Sequence, residues 1–181
     1  MTCDQMLTTL NILVAFVGVL FVGLTIYEYW KLSTIRKEFR NFRDELADAH
    51  FRSQKASQKV IASYTAPSID LKISLLQSAI DIDPTVFNVY NALGYAWLEK
   101  NEVLRAIQAF SQAIEKHPKE KAGYFDLASV YLMEGSTGLC LEYLEKAVIV
   151  DPTSRNDLKD NPLFAKVAEH PKYQALLKSV E

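Results

Sequence analysis

The sequence predicts an all-α protein: one N-terminal transmembrane helix that continues into a juxtamembrane helix, then a short helical-repeat solenoid with a C-terminal helical cap. Three observations predict it. Residues 7–27 form an uncharged apolar run, residues 31–64 contain no Pro or Gly, and Pro84, Pro118 and Pro152 close similar helical segments at 34-residue intervals. The boundaries that follow are a short tail at 1–6, the transmembrane helix at 7–30, the amphipathic juxtamembrane helix at 31–66, repeats at 67–153 (one partial, two full) and the cap at 154–181.

The average composition, 49% apolar and 23% charged with a net charge of −2, conceals a strong asymmetry. All 20 Lys and Arg lie at or after Lys31, and no charged residue falls between Asp4 and Glu28. About 20 apolar residues, each rising 1.5 Å, cross a hydrocarbon core of roughly 30 Å. Leu7 to Tyr27 meets that length, and the β-branched residues in it are tolerable as helix because lipid leaves the backbone no partner outside its own segment. Tyr27, Tyr29 and Trp30 follow at the place of an interfacial aromatic belt. Two other assignments fit less well. Helices of soluble proteins are rarely apolar all round for this length. A cleaved signal peptide has a basic n-region and a small-residue cleavage site, whereas MTCDQM carries no Lys or Arg and the run ends in Tyr-Glu-Tyr-Trp-Lys.

Lys31, Arg36, Lys37, Arg40 and Arg43 flank the C-terminal end of the apolar run, with no cation before it. The positive-inside bias therefore predicts an outside N-terminus and a cytoplasmic C-terminal domain, with the bacterial inner membrane as the expected location. The five cations also suit an anionic leaflet, each gaining about 1 kcal/mol near the surface. Glu38, Asp44, Glu45 and Asp48 dilute the run and no aromatic stacking pattern accompanies it, so no nucleic-acid partner is expected.

Beyond the membrane segment, Leu32, Ile35, Phe39, Phe42 and Leu46 recur at spacings of three and four, a helical stripe that fades into the polar run RSQKASQK. Two roles fit it: a spacer whose stripe packs on the repeat domain, or a seam for a partner or a second copy. Two heptads are too short to define a coiled coil. Phe39, Phe42 and Leu46 are the residues of this second partner surface.

The segments SLLQSAIDIDP, AFSQAIEKHP and EYLEKAVIVDP share one cadence. A 34-residue period of this kind resembles the tetratricopeptide (TPR) family. Counted from Phe87, the family's signature slots hold Tyr90, Leu93, Gly94, Trp97, Ala106, Phe110, Ala113 and Pro118; counted from Lys121, they hold Tyr124, Leu127, Ala128, Tyr131, Cys140, Leu144, Ala147 and Pro152. The resemblance implies that Gly94 and Ala128 mark close helix crossings and that Tyr90, Trp97, Tyr124 and Tyr131 fill the space between helices. The prolines, lacking N–H and clashing with the preceding turn, end helix propagation. Cys140 reads as a small core residue. The repeat ending at Pro84 matches only at Leu76, Ala79 and Pro84; its first-helix slots hold Ala56, Lys59, Val60 and Ser63, so the end of the juxtamembrane helix is expected to substitute for that helix as an atypical terminal repeat. After Pro152, Asn161-Pro162 and His170-Pro171 each suit a helix start.

In that family the first helices line a groove for segments of partner proteins. The corresponding positions here are Asn88, Asn91, Tyr95 and Leu98, then Ala122, Phe125, Ser129 and Leu132. Phe125 and Asp126 stand where a carboxylate-gripping groove would place cations, so an apolar or amphipathic partner segment is the expected occupant. The alternative is that the protein's own C-terminal helices fill the groove. No phosphate loop, nucleophile elbow or base-beside-nucleophile motif is present, so no enzyme, cofactor or metal site is expected. Asp81 and Asp83 read as a solvated pair at a helix end. With Cys3 and Cys140 the only cysteines, no disulfide framework arises and no CxxC motif is present.

The resemblance implies a membrane-tethered adaptor or scaffold that recruits a partner to the cytoplasmic face or assists assembly of a membrane complex. A permanent accessory subunit of such a complex, and a regulatory binding domain for a separate enzyme, are the alternatives.

Overall fold

The computed structural model describes residues 2–159 and 161–178. Met1, Asp160 and residues 179–181 lie outside the described residues, so the expected cap is described only within 154–178 apart from Asp160. Among the described residues, all the regular structure is helical: α1 (Cys3–Tyr64), α2 (Ile69–Ile82), α3 (Val89–Glu99), α4 (Val103–Lys116), α5 (Lys121–Met133), α6 (Thr137–Val150), α7 (Ser154–Lys159), a 3₁₀ helix (Pro162–Val167) and α8 (Pro171–Leu177). The chain forms two compact units, residues 1–50 and 51–181.

The first unit is the N-terminal part of α1. The helix runs through the apolar segment and the juxtamembrane stripe without a break, because nothing between Leu24 and Ala66 removes an N–H or frees the backbone. Its most apolar 18-residue window has a mean hydropathy of 2.4 and no buried residue, which is long and apolar enough to cross a membrane.

The second unit stacks antiparallel helix pairs. The end of α1 contributes Ala56, Val60 and Ser63, all buried, and the first two join the core formed with α2, α3 and α4. Ser63 satisfies its buried hydroxyl by donating to the Val60 carbonyl at 2.6 Å. The end of α1 thus enters this core by way of small and β-branched residues rather than aromatics. A second core lies among α5, α6 and the C-terminal elements, around Leu141, Leu144, Leu158, Phe164 and Tyr173.

The 34-residue interval recurs as backbone geometry. Asn101 and Gly135 both take left-handed φ, 60° and 76°. At each, the following amide reaches back to close the preceding helix: Glu102 N–H donates to Trp97 O at 2.8 Å and Ser136 N–H to Tyr131 O at 2.7 Å. This is the left-handed C-cap, which a Gly or Asn adopts at least cost. The helix exits also match. The Asp83 carboxylate accepts from Thr85 N–H at 2.9 Å, and Asp151 accepts from Thr153 N–H at the same distance. Asp83 is thus a turn-forming residue, and its hydrogen bonds from Thr85 hold its carboxyl below the usual range.

Gly94 is where α3 and α4 approach. A Cβ there would stand within 2.7 Å of the Phe110 ring, and Phe110 is fully buried. Tyr90 and Trp97 are buried as expected. Tyr124 and Tyr131 are only partly so: Tyr124 donates its hydroxyl to Pro118 O at 3.1 Å, and Tyr131 stacks on Tyr143 with centroids 5.4 Å apart. Cys140 is enclosed in the second core, and burial pushes its thiol up to about 11. Asn161 and His170 cap the predicted helix starts by accepting from Leu163 N–H at 3.0 Å and Lys172 N–H at 3.2 Å. The short helix α7 was not anticipated from the sequence; Lys121 tethers it through Asp157 at 2.6 Å, and also reaches Asp151 at the end of α6 at 3.0 Å.

Candidate protein-binding groove

The row of first helices in the second unit consists of the end of α1, α3 and α5. At its α1–α3 end, Asn88 takes a left-handed φ of 63° at the entrance to α3, and its amide donates to the Tyr64 hydroxyl at 3.1 Å. Beside this pair opens a cavity of about 310 Å³ bordered by Tyr64, Lys72, Asn88, Ala92 and Tyr95 above a floor of Leu76 and Ser63. Lys72 is held by Glu99 at 2.7 Å, while Lys100 pairs with Asp70 at 2.6 Å. Both are partly exposed pairs of the kind worth about 0–1 kcal/mol. They place charge along the α2–α3 edge without enclosing it.

Tyr95, like Tyr64, is an exposed aromatic of this end. Its ring packs edge-on against Phe110 with centroids 5.3 Å apart, yet 55% of its surface faces solvent. Its hydroxyl end is enclosed: it donates to the Asp126 carboxylate, which also accepts from the Asn91 amide. Burial and the adjacent carboxylate raise the Tyr95 phenol well above its ordinary range. Burial likewise raises Asp126, against the opposing effect of the hydrogen bonds from Tyr95 and Asn91. The trio joins α3 to α5 and fixes the direction of the Tyr95 ring.

The α5 end differs. Phe125 is half-buried, with its ring centroid 6.2 Å from that of Phe164 in the 3₁₀ helix, and Phe164 in turn meets Tyr173 of α8 at 6.5 Å. Ser129 returns its hydroxyl to Phe125 O at 2.9 Å. Leu132 is buried in the second core, and a cavity of about 280 Å³ beside it is walled by Pro162, Leu163 and Lys166. The C-terminal segment thus packs over Phe125, Ser129 and Leu132 of α5 and leaves Ala122 exposed.

Of the eight groove positions read from the sequence, Tyr95 and Ala122 are exposed, and Asn88, Leu98, Phe125 and Ser129 are partly buried. Asn91 and Leu132 are buried: Asn91 is committed to Asp126, and Leu132 belongs to the core. They are not open contact positions. The separate surface of Phe39, Phe42 and Leu46 is exposed along α1. Sequence reasoning missed Tyr64 and the anchoring role of Asp126. The available signal was a lone carboxylate between Phe125 and Leu127 on an apolar helix, with no cation one turn away. Among the described residues, no group of three or more His, Cys, Asp or Glu is arranged to hold a metal.

These features define an all-helical repeat architecture. No family model matches the chain. No curated protein matches it either. Among solved structures it resembles the crystal structure of MamA, at 20% identity and a TM-score of 0.51 over 57% of this chain and 63% of that one. The chain therefore spans less than two thirds of that protein's length, and the likeness shows the fold.

Proposed function

We propose that this protein is a membrane-tethered adaptor of the TPR kind, whose repeat domain holds an apolar or amphipathic segment of a protein partner at the α1–α3 end of its groove. The observation that carries this reading is the cavity beside Tyr95. An exposed aromatic, fixed in direction by its hydroxyl, borders a floor of Leu76 and Ser63 and the polar rim of Tyr64, Asn88 and Lys72. A rigid aromatic with few torsions to lose is a typical interface anchor. The groove proposed from the sequence is accordingly narrowed to Asn88, Tyr95 and the neighbouring Leu98, with Ala122 at its margin. At the α5 end, Phe125 supports the C-terminal cap instead.

The apolar part of α1 supports an anchor through residues 7–30, and the cations from Lys31 to Arg43 favour a cytoplasmic repeat domain. Such a tether raises the local concentration of a captured partner at the membrane, which suits recruitment or assembly. The test is affinity purification of the full chain from gently solubilised membranes, comparing wild type with Tyr95→Ala. Partners that bind the groove are depleted by the substitution. Identical partner sets would remove the groove from the proposal. Topology is read with reporters fused after Glu181: a cytoplasmic reporter is expected to be active, and activity of an exported reporter would reverse the orientation.

A further inference from the structure

The stripe on the first part of α1 is better organised than an apolar spacer requires. Because α1 is unbroken from Cys3 to Tyr64, one seven-residue register extends across the apolar segment and the juxtamembrane segment. Taking Leu32 as position a places Asn11, Gly18, Thr25, Leu32, Phe39 and Leu46 at successive a positions. Ile35, Phe42 and Ala49 fall at d. Outside the apolar segment, the large side chains of this seam are 49% to 69% exposed, and positions b, c and f from Ser33 to Asp48 hold no large apolar residue. Within the apolar segment, Leu7, Val14, Phe21 and, at its end, Glu28 fall at d, while the a positions are small or polar. Those are the residues that let membrane helices approach closely and hydrogen-bond to each other.

The flanking charges identify the partner. The e positions are Arg36, Arg43 and His50, and the g positions after the membrane are Glu38 and Glu45. In a parallel pair of identical helices, each g residue faces the e residue of the next heptad on the other chain. Glu38 then faces Arg43 of a second copy, and Glu45 faces His50. In an antiparallel pair, e would face e and g would face g, setting arginine against arginine and glutamate against glutamate. Lys31 and Arg36 do face each other in the parallel pair. They lie at the membrane surface, where Glu28 one turn earlier and an anionic leaflet offset their repulsion.

From the continuous register and the charge pattern we infer that the chain pairs with a second copy of itself, as a parallel left-handed coiled coil over residues 32–49 that continues along the Asn11, Gly18 and Thr25 face. Strict seven-residue spacing sets the left-handed supercoil. The pairing needs neither the groove nor its partner.

The test is disulfide trapping of the full chain in membranes. Cys3→Ser removes the exposed native thiol, and Cys140 is buried. Single cysteines are then placed on the seam (Phe42→Cys, Leu46→Cys) or on the outer face (Asp44→Cys), followed by mild oxidation. The seam positions are expected to give several-fold more covalent dimer than position 44. Equal yields at all three positions, or none at any, would overturn the inference. In the Leu46→Cys background, Glu38→Arg or Arg43→Glu alone should lower the yield several-fold, and the two together should restore it. Singles without effect, or no recovery in the double variant, would overturn the parallel register. Sedimentation of the same membranes in carbonate reads the anchor separately, so loss of membrane association is not mistaken for loss of pairing.

Discussion

Substituting Gly94 tests the packing of the repeat most sharply, because two opposing effects meet at one atom. In an ordinary helix interior, Gly→Ala gains about 1 kcal/mol. Here the new Cβ would lie within 2.7 Å of the Phe110 ring, a separation that real Cβ contacts do not show. Phe110 is fully buried and packed edge-on by Tyr95, so moving its ring disturbs other core contacts. Overpacking of this sort costs about 1–3 kcal/mol. Gly94→Ala should therefore destabilise the fragment 51–181 by up to about 2 kcal/mol, the excess of overlap over helix propensity. Replacing Phe110 by Leu removes the clashing ring edge, and in that background the same Gly94→Ala should become neutral or stabilising by up to about 1 kcal/mol. The resulting coupling, about 1–3 kcal/mol, is measured by a double-mutant cycle from urea midpoints and slopes. Gly138, whose Cβ would meet nothing within 4 Å, serves as the control. If Gly94→Ala stabilises both backgrounds like an open helix glycine, the close crossing is refuted.

Further consequences concern the groove and its charges. Asp126 has a folded-state pKa raised by burial, so the folded protein holds that proton more readily than the unfolded chain. Its contribution to stability is greatest at low pH, declines as pH rises from the ordinary carboxylate range to the raised value, and is flat above it. Asp126→Asn should abolish this decline. Asp83 and Asp151 are held low and have the opposite slope, so the wild-type-minus-variant difference is the quantity to measure. Tyr95→Phe removes a hydrogen bond that favours the ionised carboxylate and should extend the decline to higher pH, as followed by thermal melts across the acid range. Phe125→Ala should cost less than the about 3–5 kcal/mol of a fully buried Phe, since the ring is half-buried. It should also speed proteolysis after Leu158 by loosening the Phe164 contact; an unchanged cleavage rate would show that this contact does not hold the cap.

The sequence made legible what depends on local spacing. The 34-residue interval located the helix exits at Asp83, His117 and Asp151, and Gly94 could be read as a close crossing from the slot it fills in the family resemblance. The helix starts at Pro162 and Pro171 followed from the missing N–H of proline. What was not legible depends on contacts distant in sequence. Asn91 and Tyr95 meet Asp126 across 35 and 31 residues, and no local pattern announces that pairing. From the sequence Phe125 is either an open groove residue or one covered by the C-terminal helices, and whether Phe164 covers it depends on the path of the chain after Pro152. Tyr124 was equated with Tyr90 by its slot, yet it lies at the rim, where its hydroxyl reaches Pro118.

Site-specific photocross-linking tests the groove most directly. A photoreactive residue replaces Tyr95 in one variant and Leu104 in another; Leu104 is 78% exposed on α4, away from the first helices. Both variants are made as the full chain and irradiated in native membranes. A discrete adduct at position 95 that is absent at position 104, and that disappears when a peptide from the captured protein is added in excess, is the predicted result. Adducts that are the same at both positions, or that form at 104 alone, would contradict a partner-binding groove at Tyr95.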